Sequence, residues 1–503
     1  MPPLANIDAA RRQLAAGQPA LVWRRVVADT ETPVGAALKL IQPGRGDFLL
    51  ESVEGGAIRG RYSLLGLDPD LVYRATGATC EINRDWQQDR TAFAPLPGDS
   101  LAELRALAAS CRIDVPPELP PALACLVGYF GYETIGLVEQ LPRAPQGALE
   151  LPDMLFVRPT VVLVFDGLTD ALFCVAPVWA DGTAADHALA LAAERIDDTL
   201  RRLAAPAPAA PSATPELPEM ALNPVLAPGD YPAMVARAKE YITAGDIFQV
   251  VLAQRFTCPF PLPPLALYRA LRRVNPSPFL YFLDLPGFAI VGSSPEILVR
   301  VRDGEVTIRP IAGTRPRGLS EAADRAAEAE LLADPKELAE HLMLLDLGRN
   351  DVGRVATAGS VTVTDSFTVE RYSHVMHIVS NVVGQLAADK DALDALFAGF
   401  PAGTVSGAPK IRACEIIAGL EPETRGPYAG GVGYFAPDGS VDSCIVLRTA
   451  VVKDGTMHVQ SGAGIVADSD PAYEQRECEA KAGALIAAAR EAARIAAEPG
   501  FGQ

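Results

Sequence analysis

The chain has 503 residues, and 49% of them are hydrophobic, which is enough for a large core in two or three domains or in one large domain with a lobe. Acidic residues outnumber basic ones by 62 to 44, and the net charge of −18 argues against nucleic acid or an anionic membrane surface as a main partner. We expect a cytoplasmic protein, because the amino terminus has no apolar signal core and no run of about eighteen apolar residues occurs.

The cysteines are scattered along the chain and include no Cys-x-x-Cys pair. This spacing predicts neither a disulfide framework nor a zinc site, and it fits a reducing compartment. The eight positions are 80, 111, 125, 174, 258, 414, 444 and 478.

In the first part of the chain, short apolar runs between turn residues predict strands at residues 20–27, 48–53 and 157–165. Helical periodicity predicts helices at residues 101–111 and 186–203. Residues 204–228 are rich in Pro and Ala and lack periodicity, so they are predicted to be a linker. The predicted domains are therefore an amino-terminal lobe, residues 1–203, and a second domain, residues 229–495.

After the linker, the same patterns continue to the end of the chain. Helices are predicted at residues 231–244, 321–332, 335–347 and from 472 onward. Strands are predicted at residues 248–256, 279–283, 289–291, 297–301, 306–308, 360–369, 431–435, 444–452 and 457–460. Strands and helices do not alternate strictly and no internal repeat is evident, so the predicted fold class is α+β.

Two of the predicted helices carry pairs of carboxylates three residues apart. Glu337 and Glu340 lie beside an apolar stripe in one helix, and Glu474 and Glu477 lie in the last helix with Lys481 one turn beyond. If the helices face each other, these carboxylates form an oxygen-rich site suited to Mg²⁺, which takes one or two carboxylates plus waters and a substrate oxygen. The alternative is that the same residues form ordinary i,i+4 ion pairs on a solvated face.

Two glycine-rich segments suggest close approach of a ligand to the backbone. Residues 403–410 lack the Gly-Lys-Ser/Thr of a phosphate loop, so we reject a nucleotide site there. The segment is predicted to turn into a helix after Pro409, where free N–H groups either face an anion or merely start the helix. Gly462, Ala463 and Gly464 follow a strand, and they either admit a ligand carboxylate or mark a tight bend.

A set of long motifs occurs in one order over about residues 230–490. They are PIAGTRPRG (310–318), ELAEHLMLLDLGRND (337–351), RYSHVMHIVS (371–380), PAGTVSGAPK (401–410), YAGGVGYF (428–435), CIVLRTA (444–450) and SGAGIV (461–466). The set resembles the chorismate-utilising enzymes, most closely the large subunits that form anthranilate. The resemblance implies a large two-sheet β-sandwich with helices outside and an amino-terminal lobe intertwined with the catalytic domain.

The resemblance implies how chorismate, a dianion, would be held. Mg²⁺ on Glu340 and Glu477 would bind the ring carboxylate, with Glu337 and Glu474 as outer partners. The implied substrate-binding residues are Gly313 and Thr314 beside the ring, Tyr428, Arg448, Gly462, Ala463 and Gly464 at the enolpyruvyl carboxylate, and Lys481.

The resemblance also implies catalytic roles. Glu296 is the expected general acid for the departing hydroxyl, His377 is expected to assist hydroxyl loss or proton removal, and Thr404 is expected to hydrogen-bond the substrate. Gln249 stands where water-adding relatives have a lysine base, and a neutral amide cannot activate water, so ammonia is favoured. Ala312 stands where another branch has a nucleophilic lysine. The implied reaction is amination of chorismate followed by pyruvate elimination to anthranilate, the first committed step of tryptophan biosynthesis.

The ammonia is expected from a second protein. None of the cysteines lies in Gly-x-Cys-x-Gly, the turn that would expose a glutaminase nucleophile. The resemblance implies a separate glutamine amidotransferase subunit and a heterotetramer of two large and two small subunits. Two alternatives stay open, a non-catalytic binder of chorismate or tryptophan and a relative that releases the aminated intermediate.

A pocket for L-tryptophan as inhibitor is also implied by the resemblance. The family more often has Tyr-Met where this chain has Phe279-Leu280, and both pairs keep an apolar wall. Pocket residues alone do not establish inhibition, because inhibition requires that tryptophan favour a state with weaker chorismate binding. The implied pocket residues are Leu50, Glu51, Ser52, Asn275, Pro278, Phe279 and Leu280.

Overall fold

The computed structural model of the chain describes residues 2–54, 58–207, 218–372 and 375–497. Two antiparallel sheets of twelve strands each dominate this part of the chain, and helices flank them. The α+β class and the two-sheet architecture predicted above are therefore confirmed. No helix in the described ranges is long and apolar enough to cross a membrane.

The elements before the predicted linker are as follows. The helices are α1 (Ile7–Ala15), α2 (Pro33–Leu40), α3 (Ser100–Ser110) and α4 (Ala185–Leu203). The strands are β1 (Ala20–Val27), β2 (Asp47–Glu54), β3 (Ile58–Leu67), β4 (Leu71–Thr76), β5 (Thr79–Asn83), β6 (Ala94–Pro95), β7 (Leu126–Phe130), β8 (Met154–Arg158), β9 (Val161–Asp166) and β10 (Ala171–Val178).

The elements after residue 217 complete both sheets. The helices are α5 (Asp230–Thr243), α6 (Pro264–Val274), α7 (Glu321–Ala333), α8 (Pro335–Gly353), α9 (Ala392–Gly399), α10 (Lys410–Leu420) and α11 (Pro471–Ala497). The strands are β11 (Asn223–Pro224), β12 (Gln249–Pro259), β13 (Phe279–Leu285), β14 (Phe288–Ser294), β15 (Ile297–Arg302), β16 (Glu305–Ile308), β17 (Ile311–Pro316), β18 (Thr362–Arg371), β19 (Val375–Gln385), β20 (Gly407–Ala408), β21 (Gly431–Phe435), β22 (Val441–Ile445), β23 (Thr449–Lys453) and β24 (Thr456–Ile465).

Each sheet combines strands from both parts of the chain. The first sheet has the order β1-β10-β9-β3-β2-β13-β14-β23-β24-β12-β11, with β20 beside β12. The second has the order β17-β19-β16-β15-β22-β21-β7-β8-β4-β5-β6, with β18 beside β19. The junctions are β2 with β13 and β7 with β21, so the amino-terminal lobe is intertwined with the rest, as predicted.

The two sheets pack against each other through apolar side chains. One buried cluster joins Val127 and Val432 of the second sheet to Ile290 and Val451 of the first. The domain limits at residues 203 and 229 stay predictions, since residues 208–217 of the predicted linker lie outside the described ranges. The last residues of that segment include β11, which pairs with β12.

Two predicted strands are wrong in the same way. The run at residues 157–165 is split between β8 of the second sheet and β9 of the first, with Pro159 in between. The run at residues 444–452 is split between β22 and β23, again one in each sheet, and Arg448 lies between them with φ 47°. A continuous apolar run cannot reveal a change of sheet, because these strands are buried and their sequences do not alternate.

Polar caps begin several of the helices. Asp99 accepts the Leu101 N–H at the start of α3, and Ser320 accepts the Ala323 N–H at the start of α7. A helix does begin after Pro409, as expected for residues 403–410. Each cap satisfies a backbone donor that the first helical turn leaves free, so the helix starts are fixed locally.

Candidate active site

A cavity of about 310 Å³ joins residues that are distant in sequence. Four of the predicted site residues line it, namely His377 of β19, Arg448 between β22 and β23, and Glu477 and Lys481 of α11. Asn275, which sequence reasoning placed in the tryptophan pocket, lines the same cavity at the end of α6. The chain therefore brings the predicted cationic and acidic groups to one place.

His377 is held as a neutral imidazole. Burial lowers its pKa to about 4, and the positive charge of Arg448 acts in the same direction. Its Nδ1 lies 2.9 Å from the Gly313 carbonyl and 3.1 Å from the Thr314 hydroxyl. Because a carbonyl only accepts, Nδ1 carries the proton and Nε2 is left as a proton acceptor. Gly313 and Thr314 thus lie beside His377, and their place along one side of the substrate ring stays a prediction.

Glu296 is a buried carboxyl group, only 6% exposed, between β14 and β15. Burial raises its pKa to about 8, although the Thr404 hydroxyl and the Ile311 backbone oppose that rise. A carboxyl group in this state is protonated at neutral pH and can donate a proton. The structure therefore places Thr404 next to Glu296, and Pro295, the preceding residue, lines the cavity.

Arg448 presents a partly buried positive charge to the cavity. Burial lowers its pKa, and no salt bridge to it is found among the residues that the structure describes. The left-handed turn at Arg448 occurs where the chain passes from one sheet to the other. A guanidinium group in this position lacks an anion, so a ligand carboxylate is its natural partner.

The Gly462, Ala463 and Gly464 segment lies inside β24 and is no tight bend. A Cβ atom on Gly462 would lie 2.9 Å from the Tyr428 hydroxyl, and one on Gly464 would lie 2.5 Å from Nε2 of Gln249. The small residues thus leave room for these two side chains above the strand. Tyr428 and Gln249 therefore converge on the glycine-rich strand, together with Lys481, whose Nζ donates to the Gly462 carbonyl at 3.0 Å.

The four predicted metal carboxylates lie on two helices, α8 and α11, and the charges of the two helices influence each other at Glu340. Burial raises the pKa of Glu340, and negative charge on Glu337 and Glu477 adds to that rise. Burial also raises the pKa of Glu474, again with a contribution from Glu477. The alternative of an i,i+4 pair is found as well, because Lys481 Nζ lies 2.7 Å from Glu477. The two helices therefore concentrate negative charge, which Lys481 and Lys336 offset at Glu340 and Arg315 offsets at Glu337.

The fit of this site to Mg²⁺ rests on its donor atoms. Within the described ranges, no three His, Cys, Asp or Glu side chains converge closely enough to hold an ion alone. Mg²⁺ does not require such a cluster, since it is held by one or two carboxylates with waters and substrate oxygens. Glu340 and Glu477 repel each other across the two helices, and a divalent cation would relieve that repulsion. The residues therefore fit Mg²⁺.

The predicted tryptophan pocket is divided between the two faces of one sheet. Ser52 pairs with Phe279, and Glu51 pairs with Leu280, in the junction of β2 with β13. Since successive residues of a strand point to opposite faces, Leu50, Ser52 and Phe279 share one face and Glu51 shares the other with Leu280. Pro278 precedes β13.

The face with Glu51 is already occupied by α6. Glu51 accepts hydrogen bonds from Tyr268 Oη at 2.6 Å and from Arg272 Nε at 2.6 Å. Leu280 is only 2% exposed and lies in the core beneath that helix. The structure therefore brings Leu50, Ser52 and Phe279 together but not all seven predicted residues.

Two residues of the quoted motifs were missed as site residues. Tyr372 lines the cavity, and its ring centroid lies 5.5 Å from that of His377. Arg315 contacts Glu337 and is two residues from Gly313. Both lie in segments that carry the resemblance, RYSHVMHIVS and PIAGTRPRG, so their place in those motifs was the available signal.

Comparison with known proteins agrees with this geometry. Residues 59–487 match the family described as chorismate binding enzyme. This covers most of the chain, so the protein belongs to that family.

Similarity to individual proteins is more specific than the family match. The chain is 55% identical to "Anthranilate synthase component 1" of Cereibacter sphaeroides over 99% of this chain and 100% of that one. It is 47% identical to the protein of the same name from Thermus thermophilus, over 92% and 96% of the two chains. The crystal structure of anthranilate synthase component I from Streptococcus pneumoniae is 34% identical, with a TM-score of 0.76 over 92% of this chain and 99% of that one.

A more distant structure shares the fold alone. The menaquinone-specific isochorismate synthase from Escherichia coli is 19% identical, with a TM-score of 0.68 over 96% of this chain and 99% of that one. The two-sheet architecture therefore extends beyond the closely similar sequences.

Proposed function

We propose that this chain catalyses the Mg²⁺-dependent addition of ammonia to chorismate and the elimination of pyruvate, which gives anthranilate. The observation that carries the proposal is one cavity that joins His377, Arg448, Glu477 and Lys481, with protonated Glu296 beside it. The similarity to proteins named anthranilate synthase component 1, over nearly the whole chain, supports the same reaction.

Chorismate would be bound through its two carboxylates. Arg448 offers an unpaired guanidinium to the enolpyruvyl carboxylate, and Tyr428 lies above the strand where that carboxylate would meet the backbone. Glu340 and Glu477 would hold Mg²⁺, which when bound neutralises the ring carboxylate and polarises the ring. Lys481 provides a further positive charge in the lining of the cavity.

The first chemical step replaces a hydroxyl group by an amine. Ammonia forms a bond to the ring carbon next to the one that bears the carboxylate, and the C–O bond to the ring hydroxyl breaks. Glu296 donates the proton with which the hydroxyl leaves as water, because burial keeps this carboxyl group protonated. Gln249 supplies no base, so a nucleophile that needs none, such as ammonia, is favoured over water.

The second step forms the aromatic ring. His377 Nε2 accepts the proton from the aminated ring carbon, since Nδ1 is committed to the Gly313 carbonyl. The bond between the ring and the enolpyruvyl oxygen then breaks, and the enolpyruvate takes up a proton to leave as pyruvate. The products are one anthranilate, one pyruvate and one water for each chorismate and ammonia.

A glutamine amidotransferase subunit is proposed as the ammonia source, in a heterotetramer of two large and two small subunits. The word "component" in the names of the relatives supports a second component. All eight cysteines of this chain are buried, so none is available as an exposed glutaminase nucleophile. The purified chain is therefore expected to use ammonium but not glutamine.

Inhibition by L-tryptophan is proposed at the face formed by Leu50, Ser52 and Phe279. A short path supports communication with the substrate cavity. Phe279 pairs with Ser294 between β13 and β14, and the Ser294 hydroxyl lies 3.4 Å from the backbone nitrogen of Glu296. Tryptophan would shift that path toward a state with weaker chorismate binding. A chorismate titration that millimolar tryptophan leaves unchanged contradicts this part of the proposal.

The direct test is a product assay on the purified chain with chorismate, Mg²⁺ and ammonium at alkaline pH. We expect anthranilate fluorescence and an equal amount of pyruvate, with glutamine alone giving no product. An aminated product that keeps its enolpyruvyl group contradicts the elimination step, and the absence of any product contradicts the proposed reaction.

A further inference from the structure

Arg315 of β17 connects three acidic residues on two helices. Its Nε lies 2.9 Å from Glu330 of α7, its Nη2 lies 2.7 Å from Asp334, and its Nη1 lies 3.0 Å from Glu337 of α8. The side chain is only 19% exposed, so these contacts are made in a partly protected position. A planar guanidinium fork can make all three contacts at once, and a lysine ammonium cannot reproduce that geometry.

Two of these acids define the start of α8. Asp334 is its N-cap, and Oδ1 accepts the Lys336 N–H at 3.0 Å while Oδ2 is held by Arg315. Glu337 lies in the first turn, and Glu340 follows three residues later on the same face. Arg315 therefore fixes the helix end that carries the predicted metal carboxylates.

The same arginine sets the direction of Glu337. One carboxylate oxygen of Glu337 bonds to Arg315, and the other lies 3.2 Å from the Cβ position of Gly313. On the strand side, the neighbouring Thr314 contacts His377 at 3.1 Å. Arg315 thus ties the strand beside the proposed ring site to the helix that faces Glu477.

We propose that Arg315 is a positioning residue for the cation site, which orients Glu337 and the first turn of α8 so that Glu340 and Glu477 can hold Mg²⁺. This role rests on the proposed Mg²⁺ dependence of the reaction. In this role Arg315 acts through Glu337 and Asp334, which it contacts directly. Partners that orient metal ligands in this way typically affect metal affinity by about 10- to 100-fold.

The test is calorimetric titration of Mg²⁺ into the full chain with saturating chorismate and no ammonia, so that no turnover occurs. Arg315→Lys and Arg315→Gln are compared with wild type, and thermal unfolding checks that each variant folds. Arg349→Gln is the matched control, because Arg349 lies on the same helix, is 56% exposed and pairs with Asp346 at 2.9 Å. We expect Mg²⁺ binding about 10- to 100-fold weaker in both Arg315 variants and unchanged in the control.

The direction of the change in Mg²⁺ affinity shows whether Arg315 acts through its geometry or through its charge. If Arg315 acted only through its charge, Arg315→Gln would bind Mg²⁺ more tightly and Arg315→Lys would match wild type, and this result overturns the proposal. Unchanged binding in both variants also overturns it while leaving the proposed cation intact. If wild type binds no Mg²⁺ with chorismate present, the proposed cation fails and the role of Arg315 fails with it. If Arg315→Gln does not fold, Arg315→Lys carries the test.

Discussion

Two arginines near the substrate cavity show opposite solutions to the burial of a positive charge. Arg425 is 2% exposed and is bonded through all three of its guanidinium nitrogens, to Glu421 at 2.6 and 2.8 Å, to the Val405 carbonyl at 2.8 Å and to the Val251 carbonyl at 2.7 Å. Arg448 faces the cavity, and no salt bridge to it is found in the described part of the chain.

This difference distinguishes an arginine that stabilises the fold, Arg425, from one that belongs to the candidate site, Arg448. A buried charge is tolerated when the protein supplies its partner, as Glu421 does for Arg425. Arg425 also donates hydrogen bonds to the Val251 carbonyl of β12 and to the Val405 carbonyl, and so connects β12 to the turn that carries Thr404. Arg448 is only partly buried, and a charge in such a position without a protein partner is retained where a ligand supplies the missing anion. The same comparison applies to carboxyl groups, since Glu421 is paired with Arg425 while Glu296 is protonated instead.

The largest effect is expected for Glu296→Gln, which removes the proposed proton donor while keeping its shape. The rate with ammonium should fall by about 10²- to 10⁴-fold. Because burial raises the pKa of Glu296 to about 8, the proton is present below that pH and is lost as the pH rises through it. In wild type, kcat/KM for chorismate should therefore fall above pH 8 at a constant concentration of unprotonated ammonia.

The pH profile of the variant provides the check on that assignment. Glutamine does not titrate, so the decrease above pH 8 should be absent from Glu296→Gln. A variant that retains both the rate and the alkaline decrease would show that another group donates the proton.

The next largest effect is a difference in folding stability between variants of the two arginines. Arg425→Met leaves Glu421 as an unpaired buried charge and should lower the free energy of unfolding by about 3–5 kcal/mol. Arg448→Met removes a charge that has no partner, so its free energy of unfolding should stay within about 1 kcal/mol of wild type or increase. Urea denaturation of both variants measures the difference. Equal losses of stability would mean that Arg448 is part of the scaffold.

A smaller effect is expected from the glycines of β24. A Cβ atom on Gly462 would lie 2.7 Å from the Leu252 carbonyl, which is backbone, as well as near Tyr428. On Gly464 the close neighbour is Nε2 of Gln249, the mobile end of a side chain, at 2.5 Å. Gly462→Ala should therefore raise the KM for chorismate about tenfold or more, and Gly464→Ala should raise it less. The reverse order in steady-state kinetics would contradict the placement of Tyr428 at the substrate carboxylate.

Local patterns were sufficient for many elements of the fold, but β17, β19 and α6 were not predicted. The helical periodicity at residues 186–203 and 335–347 corresponds to α4 and α8, and the apolar run at 248–256 corresponds to β12. The two changes of sheet, at Pro159 and at Arg448, were missed because both neighbouring strands are equally apolar. The pairing of β2 with β13 is a contact across more than two hundred residues, and no local pattern contains it.

The site residues could be predicted only where they lie in motifs that carry the family resemblance. From its spacing alone, the Glu337 and Glu340 pair could belong either to a metal site or to a solvated helix face. The resemblance was needed to connect this pair with Glu477 of α11. The roles of Tyr372 and Arg315 depend on where β17 and β19 pair, which places Thr314 opposite His377. The predicted tryptophan pocket combined residues from both faces of the sheet, because the motifs do not show that Glu51 and Leu280 point away from Ser52.

The most direct test of the comparison is calorimetric binding of chorismate, without ammonia, to wild type and Arg448→Met. If the unpaired arginine awaits a ligand carboxylate, wild type binds chorismate and the folded variant binds it about 30- to 1,000-fold more weakly, which corresponds to a loss of about 2–4 kcal/mol. If the folded variant binds chorismate as tightly as wild type, Arg448 is not the carboxylate partner and the central claim is wrong.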